Sequence, residues 1–321
     1  MPKPSHLAVL MAGKEAVEGT PVPPTMSVPW KTLTPKDDLA LIADEGVRGS
    51  AVDNYGQSPG PRGSGLDIGG DVMADIIGWP LASLCPDLLV TGSTAPYTGV
   101  FSTLNTGDTQ PATQTWTIFD PLGTWQYPGI HWSELGFKWN ADGFFQYSAK
   151  GIGWGYQTTT SPTPSWTASP KPVANWSVTN KIAGTQMFVA DGELTIKRPV
   201  TAIRGANGTQ DPYKLFSGDI SVDGKITTVM ETTAQRLIFQ AGTMQSFECA
   251  YTQGAATALN SLLLHCSQVA YTEGTPSYGK DYIELPLTFK ASANTSDIGA
   301  SGGFSPIKAT LLNALPSGTY K

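Results

Sequence analysis

Alternation of apolar and polar residues marks several stretches of the chain as half-buried β-strands. The first is GLDIGGDVM at residues 65–73, where every second side chain is apolar or glycine. A hairpin is predicted at 135–149, because apolar residues alternate on both sides of the turn at 141–143. Its predicted core face comprises Leu135, Phe137, Trp139, Phe145, Tyr147 and Ala149.

The same alternation resumes in the second half of the chain. The strand predicted at 219–226 places carboxylates on its polar face, as the strand at 65–73 does. These acidic positions are Asp67, Asp71, Asp219 and Asp223. Further strands are predicted at 188–197, 237–251, 282–290 and 306–315, with Phe188, Leu194 and Ile196 on the core face of the first.

Paired strands close both halves of the chain. This indicates one domain over residues 1–321, built from two loosely duplicated halves at about 1–160 and 170–321. A Pro- and Thr-rich spacer at 158–173 lies between them.

One short helix interrupts the strand pattern directly after residue 73. Asp75 offers an N-cap side chain, and a dense apolar run follows for about ten residues, with Pro80 near its middle. The helix positions predicted to pack against the sheet are Ile76, Ile77, Trp79, Leu81 and Leu84.

Two segments are too rich in turn residues to predict regular structure. Residues 1–64 form a turn-rich N-terminal arm, and residues 90–115 form a loop longer than the usual connection. Loops of this length can become ordered when a partner covers them, so in an assembly of stacked rings both segments are candidate contacts between the rings.

Composition strengthens the all-β prediction and narrows the function. The 35 Gly and 25 Pro residues are typical of many strands joined by turns, in a β-sandwich or barrel with one or two short helices. A net charge of -6 without a basic run argues against a protein that grips nucleic acid. Charged residues make up only 14% of the chain, which favours a surface partly covered by other subunits. No segment has the roughly 20 apolar residues of a membrane span.

The sequence carries no motif that predicts catalysis. It lacks the GxSxG spacing of a nucleophile elbow, and the three histidines are scattered without metal-ligand spacing. We therefore predict that the protein is not an enzyme and that it has no catalytic, cofactor-binding or metal-binding residue. Nine tryptophans suggest a carbohydrate-binding β-sandwich as an alternative, such as a receptor-binding or adhesin module. Against it, Trp132, Trp139 and Trp154 alternate with core residues and are expected to be buried.

Several segments, in order along most of the chain, resemble the major tail tube proteins of long-tailed, siphovirus-like bacteriophages. In the first half these are GKEAVEGTPVPPT, EGVRGS and GLDIGGDVMADIIGW. In the second half they are GELTIKRPV, DPYKLFSGDISVDGKITTV, IELPLTFKAS and PIKATLLNAL.

The resemblance implies a structural virion protein that forms stacked hexameric rings, with sheets joined into a continuous β-barrel around a lumen. Viral DNA would pass through as cargo without specific binding. Implied partners are other copies of the chain, tail tip or baseplate and tail terminator proteins, and a tape measure protein inside the tube. The resemblance also implies that the protein assembles in the bacterial cytoplasm, lies in the virion tail and has no membrane partner. The four acidic positions would face the lumen, and the helix would cover the outer side of the wall.

Overall fold

The computed structural model describes residues 3–166, 171–279 and 281–321 and has the all-β fold expected from the sequence. Two α-helices, α1 (Ala74–Leu84) and α2 (Thr233–Gln240), and 3₁₀ turns at Ser5–Leu7, Asn175–Ser177 and Ala256–Ala258 accompany the strands. The strands are β1 (Val9–Lys14), β2 (Met26–Val28), β3 (Thr32–Ala43), β4 (Gln57–Asp71), β5 (Asp87–Thr91), β6 (Tyr97–Ser102), β7 (Gln114–Asp120), β8 (Gly123–Asn140), β9 (Gln146–Gly153), β10 (Gln157–Thr158), β11 (Thr179–Ile182), β12 (Thr185–Met187), β13 (Val189–Lys197), β14 (Val200–Ile203), β15 (Lys214–Ser217), β16 (Ser221–Val229), β17 (Gln245–Gln253), β18 (Asn260–Gly274), β19 (Glu284–Ala291) and β20 (Lys308–Asn313).

Eight antiparallel strands form the main sheet, in the order β3-β4-β9-β8-β13-β16-β19-β18. The strand pair β8–β13 joins the two halves of the chain within this sheet, in the register Phe137 opposite Leu194. Its core face carries the alternating apolar residues that the sequence predicts, and all six predicted hairpin residues are buried.

Two long strands pass from the main sheet into two further sheets. The first half of β18 belongs to a second sheet, β5-β6-β20-β18-β17-β11-β12. The first half of β8 belongs to a third sheet, β2-β1-β7-β8-β10. A separate ribbon, β14–β15, lies between β13 and β16 in the chain.

Helix α1 lies in the core, where it packs against β8, β18 and β20. The five predicted packing positions are all buried, and so are the small residues between them. A helix that is apolar on every side has no solvent face, so α1 is an internal element of the subunit. The predicted Asp75 cap is wrong, because the N-cap is Met73 and Asp75 lies in the first turn.

Regular strands occupy much of the two segments predicted to be irregular. The arm at 1–64 contains β1, β2, β3 and the first part of β4, and the loop at 90–115 contains β6. Strand pairing outweighs turn composition here, because β6 is bonded on both sides, to β5 and β20. Pro35 is tolerated in β3 because that strand lies at the edge of the sheet.

Smaller differences concern two further strands and the spacer. The segment 237–251 begins in helix α2 and becomes strand only at Gln245, and Phe188 precedes β13 with two-thirds of its surface exposed. The spacer at 158–173 lies partly outside the described residues. In its described part, the Ser165 carbonyl accepts a hydrogen bond from the Ser27 amide.

Candidate assembly surfaces

The face of the main sheet that points away from the core is almost entirely polar. Strand β9 alternates strictly between buried and exposed residues, and β8, β13 and β16 continue the same alternation. Of the predicted acidic positions, Asp67 and Asp71 on β4 and Asp223 on β16 lie on this face. Asp219 precedes β16 and lies in the loop at its start.

Charges of opposite sign alternate across the strands of this face, and we call these rows the charge ladder. Cross-strand neighbours have Cβ atoms about 5 Å apart, so opposite charges attract and like charges are kept from adjacent positions. The first row is Asp67–Lys150–Glu134–Lys197. The second is Asp71–Gln146–Lys138–Glu193–Lys225–Thr288–Glu273, and the third is Thr195–Asp223–Lys290.

Ion pairs reinforce the charge ladder on the β4, β9 and β8 side of the sheet. Lys150 Nζ lies 2.8 Å from Glu134 Oε1, and the hydrogen bond from this lysine to Glu134 raises the pKa of Lys150. Two further lysines pair with the acids of β4: Lys31 lies 2.6 Å from Asp71, and Lys36 pairs with Asp67.

The face is therefore close to charge balance rather than acidic. The ladder rows contain six carboxylates and five lysines, and Lys31 and Lys36 bring the lysines to seven. The sequence pattern identifies only the carboxylates, because their lysine neighbours are distant in sequence and only strand register brings them together.

A second surface is the ribbon formed by β3 and the first half of β4, which projects beyond the main sheet. Strand β4 pairs with β9 only from Ser64 onward, so residues 37–63 extend past the end of the sheet. Although it projects into solvent, the ribbon exposes five large apolar side chains, and Val47 at its apex is 95% accessible. The others are Leu39, Leu41, Ile42 and Val52.

The β14–β15 ribbon holds the base of this projection. Arg62 of β4 donates two hydrogen bonds of 2.7 Å to the carboxylate of Asp211. Arg204 Nη1 donates to the Arg62 carbonyl, and Gln210 Nε2 donates to the Gly60 carbonyl. A bidentate pair of this kind fixes orientation, so the projection has a defined direction.

Two strand edges of the main sheet remain open. One side of β3 has no strand partner among the described residues, and neither does the outer side of β18 beyond Val269. Unpaired edges invite pairing with another chain unless they are covered.

A comparison with known protein families identifies the family of the chain that carries these surfaces. The family model described as phage tail tube protein matches residues 5–291. The chain belongs to the phage tail tube protein family. It is a structural component of the phage tail, which confirms this part of the prediction made from the resemblance. A comparison with curated proteins finds no match.

A buried carboxylate explains one segment that carries the resemblance to tail tube proteins. Glu15 accepts hydrogen bonds from the hydroxyl groups of Thr113 and Thr115 and from the amides of Gly19 and Gly129. Both glycines have positive φ and lie against the ring of Trp154, where a Cβ atom would collide or crowd. Glu15 thereby ties the segment after β1 to the third sheet of the tail tube subunit.

A second polar cluster joins the loop after β19 to the second sheet. Asp297 is fully buried and accepts a hydrogen bond from the Ser267 amide, and its Oδ1 lies 2.7 Å from His265 Nδ1. The hydrogen bond with Asp297 raises the pKa of His265, against the effect of burial. Burial would raise the pKa of Asp297, but its hydrogen bonds with His265 and Ser267 lower it overall.

Of the three tryptophans expected to be buried, Trp132 and Trp139 are unsuited to sugar binding and Trp154 is partly exposed, while Trp166 and Trp176 lie on the surface. Trp132 and Trp139 are buried, and Trp132 Nε1 donates to the buried amide of Gln114, which leaves no ring face for a sugar. Within the described residues, no group of His, Cys, Asp and Glu side chains has the arrangement of a metal site. None of the described helices has the length and apolar character of a membrane span.

Proposed function

We propose that this chain forms hexameric rings that stack into the tail tube of a siphovirus-like phage and enclose the path of the viral DNA. Membership of the tail tube family supports the tube itself. The observation that carries the proposal is the contrast between a polar, charge-balanced sheet face and an apolar projecting ribbon. A face without apolar anchors is suited to remain uncovered, whereas exposed apolar residues require a partner.

Ring closure uses the two open edges of the main sheet. The free side of β3 in one subunit would adjoin the end of β18 in the next, so that neighbouring sheets form a continuous barrel. This contact joins two different patches, and such an interface closes into a ring when its rotation permits. The interface also covers both edges that the isolated subunit leaves open.

The charge ladder would line the bore, with Asp67, Asp71 and Asp223 on its surface. Because these acids alternate with lysines, the bore would present DNA with neither a basic track to bind nor a strongly repulsive wall. DNA would pass as cargo, and the tape measure protein would occupy the bore before it. Tail tip or baseplate and terminator proteins would contact the two ends of the tube, after assembly in the host cytoplasm.

The projecting β3–β4 ribbon would contact another subunit through Leu39, Leu41 and Ile42. Helix α1 would lie behind the sheet that lines the bore, on the outer side of the wall, but within the subunit's own core.

Electron microscopy of the purified protein over a concentration series, with size-exclusion chromatography alongside, tests this function. We expect hollow rings or tubes with sixfold end views at high concentration. Solid filaments, or rings of another symmetry, would contradict the proposed hexameric conduit. Phage particles that lack the gene product should have heads but no assembled tail tubes, which tests the function even if the free subunit awaits an initiator.

A further inference from the structure

A groove at one end of the main sheet contains a buried arginine that forms no ion pair among the described residues. Arg198 follows β13 and is only 5% exposed. Its Nε donates to the Gly218 carbonyl at 2.9 Å, and its Nη2 donates to the Thr109 carbonyl at 2.7 Å. No carboxylate of the described residues lies within 4.0 Å of the guanidinium nitrogens.

A desolvated cation whose hydrogen-bond acceptors are all neutral is unfavourable, because it has lost hydration and no carboxylate contacts it. Burial lowers the pKa of Arg198, and the negative charge of Asp219 offsets part of this effect. The guanidinium carries five N–H donors, and two protein acceptors leave the others available to a ligand. A planar donor group of this kind matches a carboxylate.

The groove around Arg198 has a volume of about 400 Å³ and a mixed rim. Lys290 adds a second cation, and Asp219, one of the acids predicted from the sequence, adds one negative charge. Phe304 is 60% exposed beside them and supplies an apolar wall. We call this site the Arg198 groove. With two cations and one anion it fits a single carboxylate carried on a partly apolar segment.

The apex of the projecting β3–β4 ribbon has the complementary character. Residues 37–56 contain five acidic residues and one arginine, beside the exposed apolar side chains. Arg48 already pairs with Asp44. Glu45 and Asp53 are exposed at the apex and have no ion pair among the described residues.

The groove and the ribbon lie toward the same end of the main sheet, the ribbon on the β3 edge and the groove nearer the β18 edge. The ribbon extends beyond Ser64, at the end where β13 stops and β16 starts, and Lys290 lies near the same end of β19. The ribbon belongs to the β3 edge, whereas the groove lies by β16 and β19. Ring closure through the β3 and β18 edges would bring the ribbon of one subunit to the side of its neighbour on which the groove lies. This step rests on the proposed function.

We propose that the Arg198 groove binds a carboxylate of Glu45 or Asp53 from a second copy of the chain. The contact gives the Arg198 guanidinium a carboxylate partner, and Phe304 covers apolar side chains of the same ribbon. It makes the groove a receptor for the neighbouring subunit.

Disulfide cross-linking tests this proximity directly. The Glu45→Cys and Lys290→Cys double variant should form intermolecular disulfides on mild oxidation, in a concentration-dependent ladder on non-reducing gels. Each single variant is a control, since the native cysteines at 85, 249 and 266 are buried. Absence of the ladder at every concentration overturns the proposal, and tubes that form without it leave the proposed function standing.

Charge exchange tests the recognition itself. The Glu45→Gln and Asp53→Asn double variant should raise the protein concentration needed for assembly about tenfold or more. Asp142→Asn, an exposed acid in the β8–β9 turn at the other end of the sheet, is the matched control and should not. Lys290→Glu should impair assembly equally, and Glu45→Lys in the same chain should restore it.

A free anion, instead of a carboxylate of the neighbouring subunit, is the alternative occupant of the Arg198 groove. Inorganic phosphate is the probe, with the Tm of the monomer as readout. If phosphate raises the Tm, Lys290→Glu abolishes this rise, and the Glu45→Gln and Asp53→Asn variant assembles like wild type, the groove binds a free anion and the proposal is wrong.

Discussion

The β8–β9 and β3–β4 hairpins are both long and antiparallel, yet they expose opposite kinds of side chain. In β8–β9 the apolar side chains are buried in the core, and most of the exposed ones are polar. In the distal part of β3–β4, Leu39, Leu41 and Ile42 are exposed together with the polar residues. The first hairpin buries its apolar side chains within the chain, whereas the second leaves them exposed for the partner that we propose. The following predictions test this difference.

The largest effect on the isolated subunit is expected in the β8–β9 hairpin. Phe137→Ala removes a buried ring stacked on Phe145 and should lower the free energy of unfolding by about 3–5 kcal/mol. Leu41→Ala in the ribbon should change it by less than about 0.5 kcal/mol. Urea unfolding of the monomer measures both. Similar losses for the two variants would show that the ribbon packs within its own chain.

Assembly should show the reverse order. Replacing Leu39, Leu41 and Ile42 by serine removes apolar area that a partner would cover, at about 1 kcal/mol for each half-buried side chain. The concentration needed for assembly should rise about 100-fold, while the monomer's unfolding curve stays unchanged. Sedimentation of tubes against concentration measures the effect. Leu122→Ser, which replaces an exposed apolar side chain in the β7–β8 turn, is the control.

A smaller and pH-dependent effect is expected where His265 meets Asp297. His265 has a raised pKa in the folded state, so its stabilisation is complete below the unfolded value of 6.5 and disappears as the pH rises through the raised value. Asp297 has a lowered pKa, so its stabilisation is complete above 3.8 and disappears as the pH falls through the lowered value.

His265→Gln should therefore cost at most about 1 kcal/mol, with the largest difference between pH 4 and 6.5. Urea unfolding of both proteins over this pH range gives the profile. A difference that stays constant up to pH 9 would mean that the histidine acts by packing alone.

The smallest effect is expected in the charge ladder. Glu134→Lys places like charges opposite each other across β8 and β9 and should destabilise the monomer by about 0.2–1 kcal/mol. Adding Lys150→Glu should restore most of the loss, which a double-mutant cycle measures. A cycle with no coupling would reduce the ladder to isolated solvated charges.

The sequence predicts best those elements that alternate around a shared core. The strand at Leu66 and the hairpin at Phe137 were predictable because one side of each is buried within the same chain. The strand β6 was not, because its partners β5 and β20 determine it and β20 is about 200 residues away. The internal place of α1 could have been found from its sequence, since Ile76, Leu81 and Ala82 place apolar side chains on all sides of the helix.

The candidate surfaces were less accessible to sequence reasoning. Asp67 was found, but Lys150 was not recognised as its cross-strand neighbour, because register is a property of the folded sheet. The cation Arg198 showed no signal, since its burial depends on Thr109 and Gly218 from distant segments.

Strands β8 and β18 each run through two sheets, and this has a mechanical consequence. A force on the second or third sheet reaches the main sheet along a continuous covalent chain, and not only across side-chain packing. The sheets cannot slide past each other unless hydrogen bonds along these strands break. A subunit of this design resists shear as a unit, so a tube made from it bends at the joints between subunits.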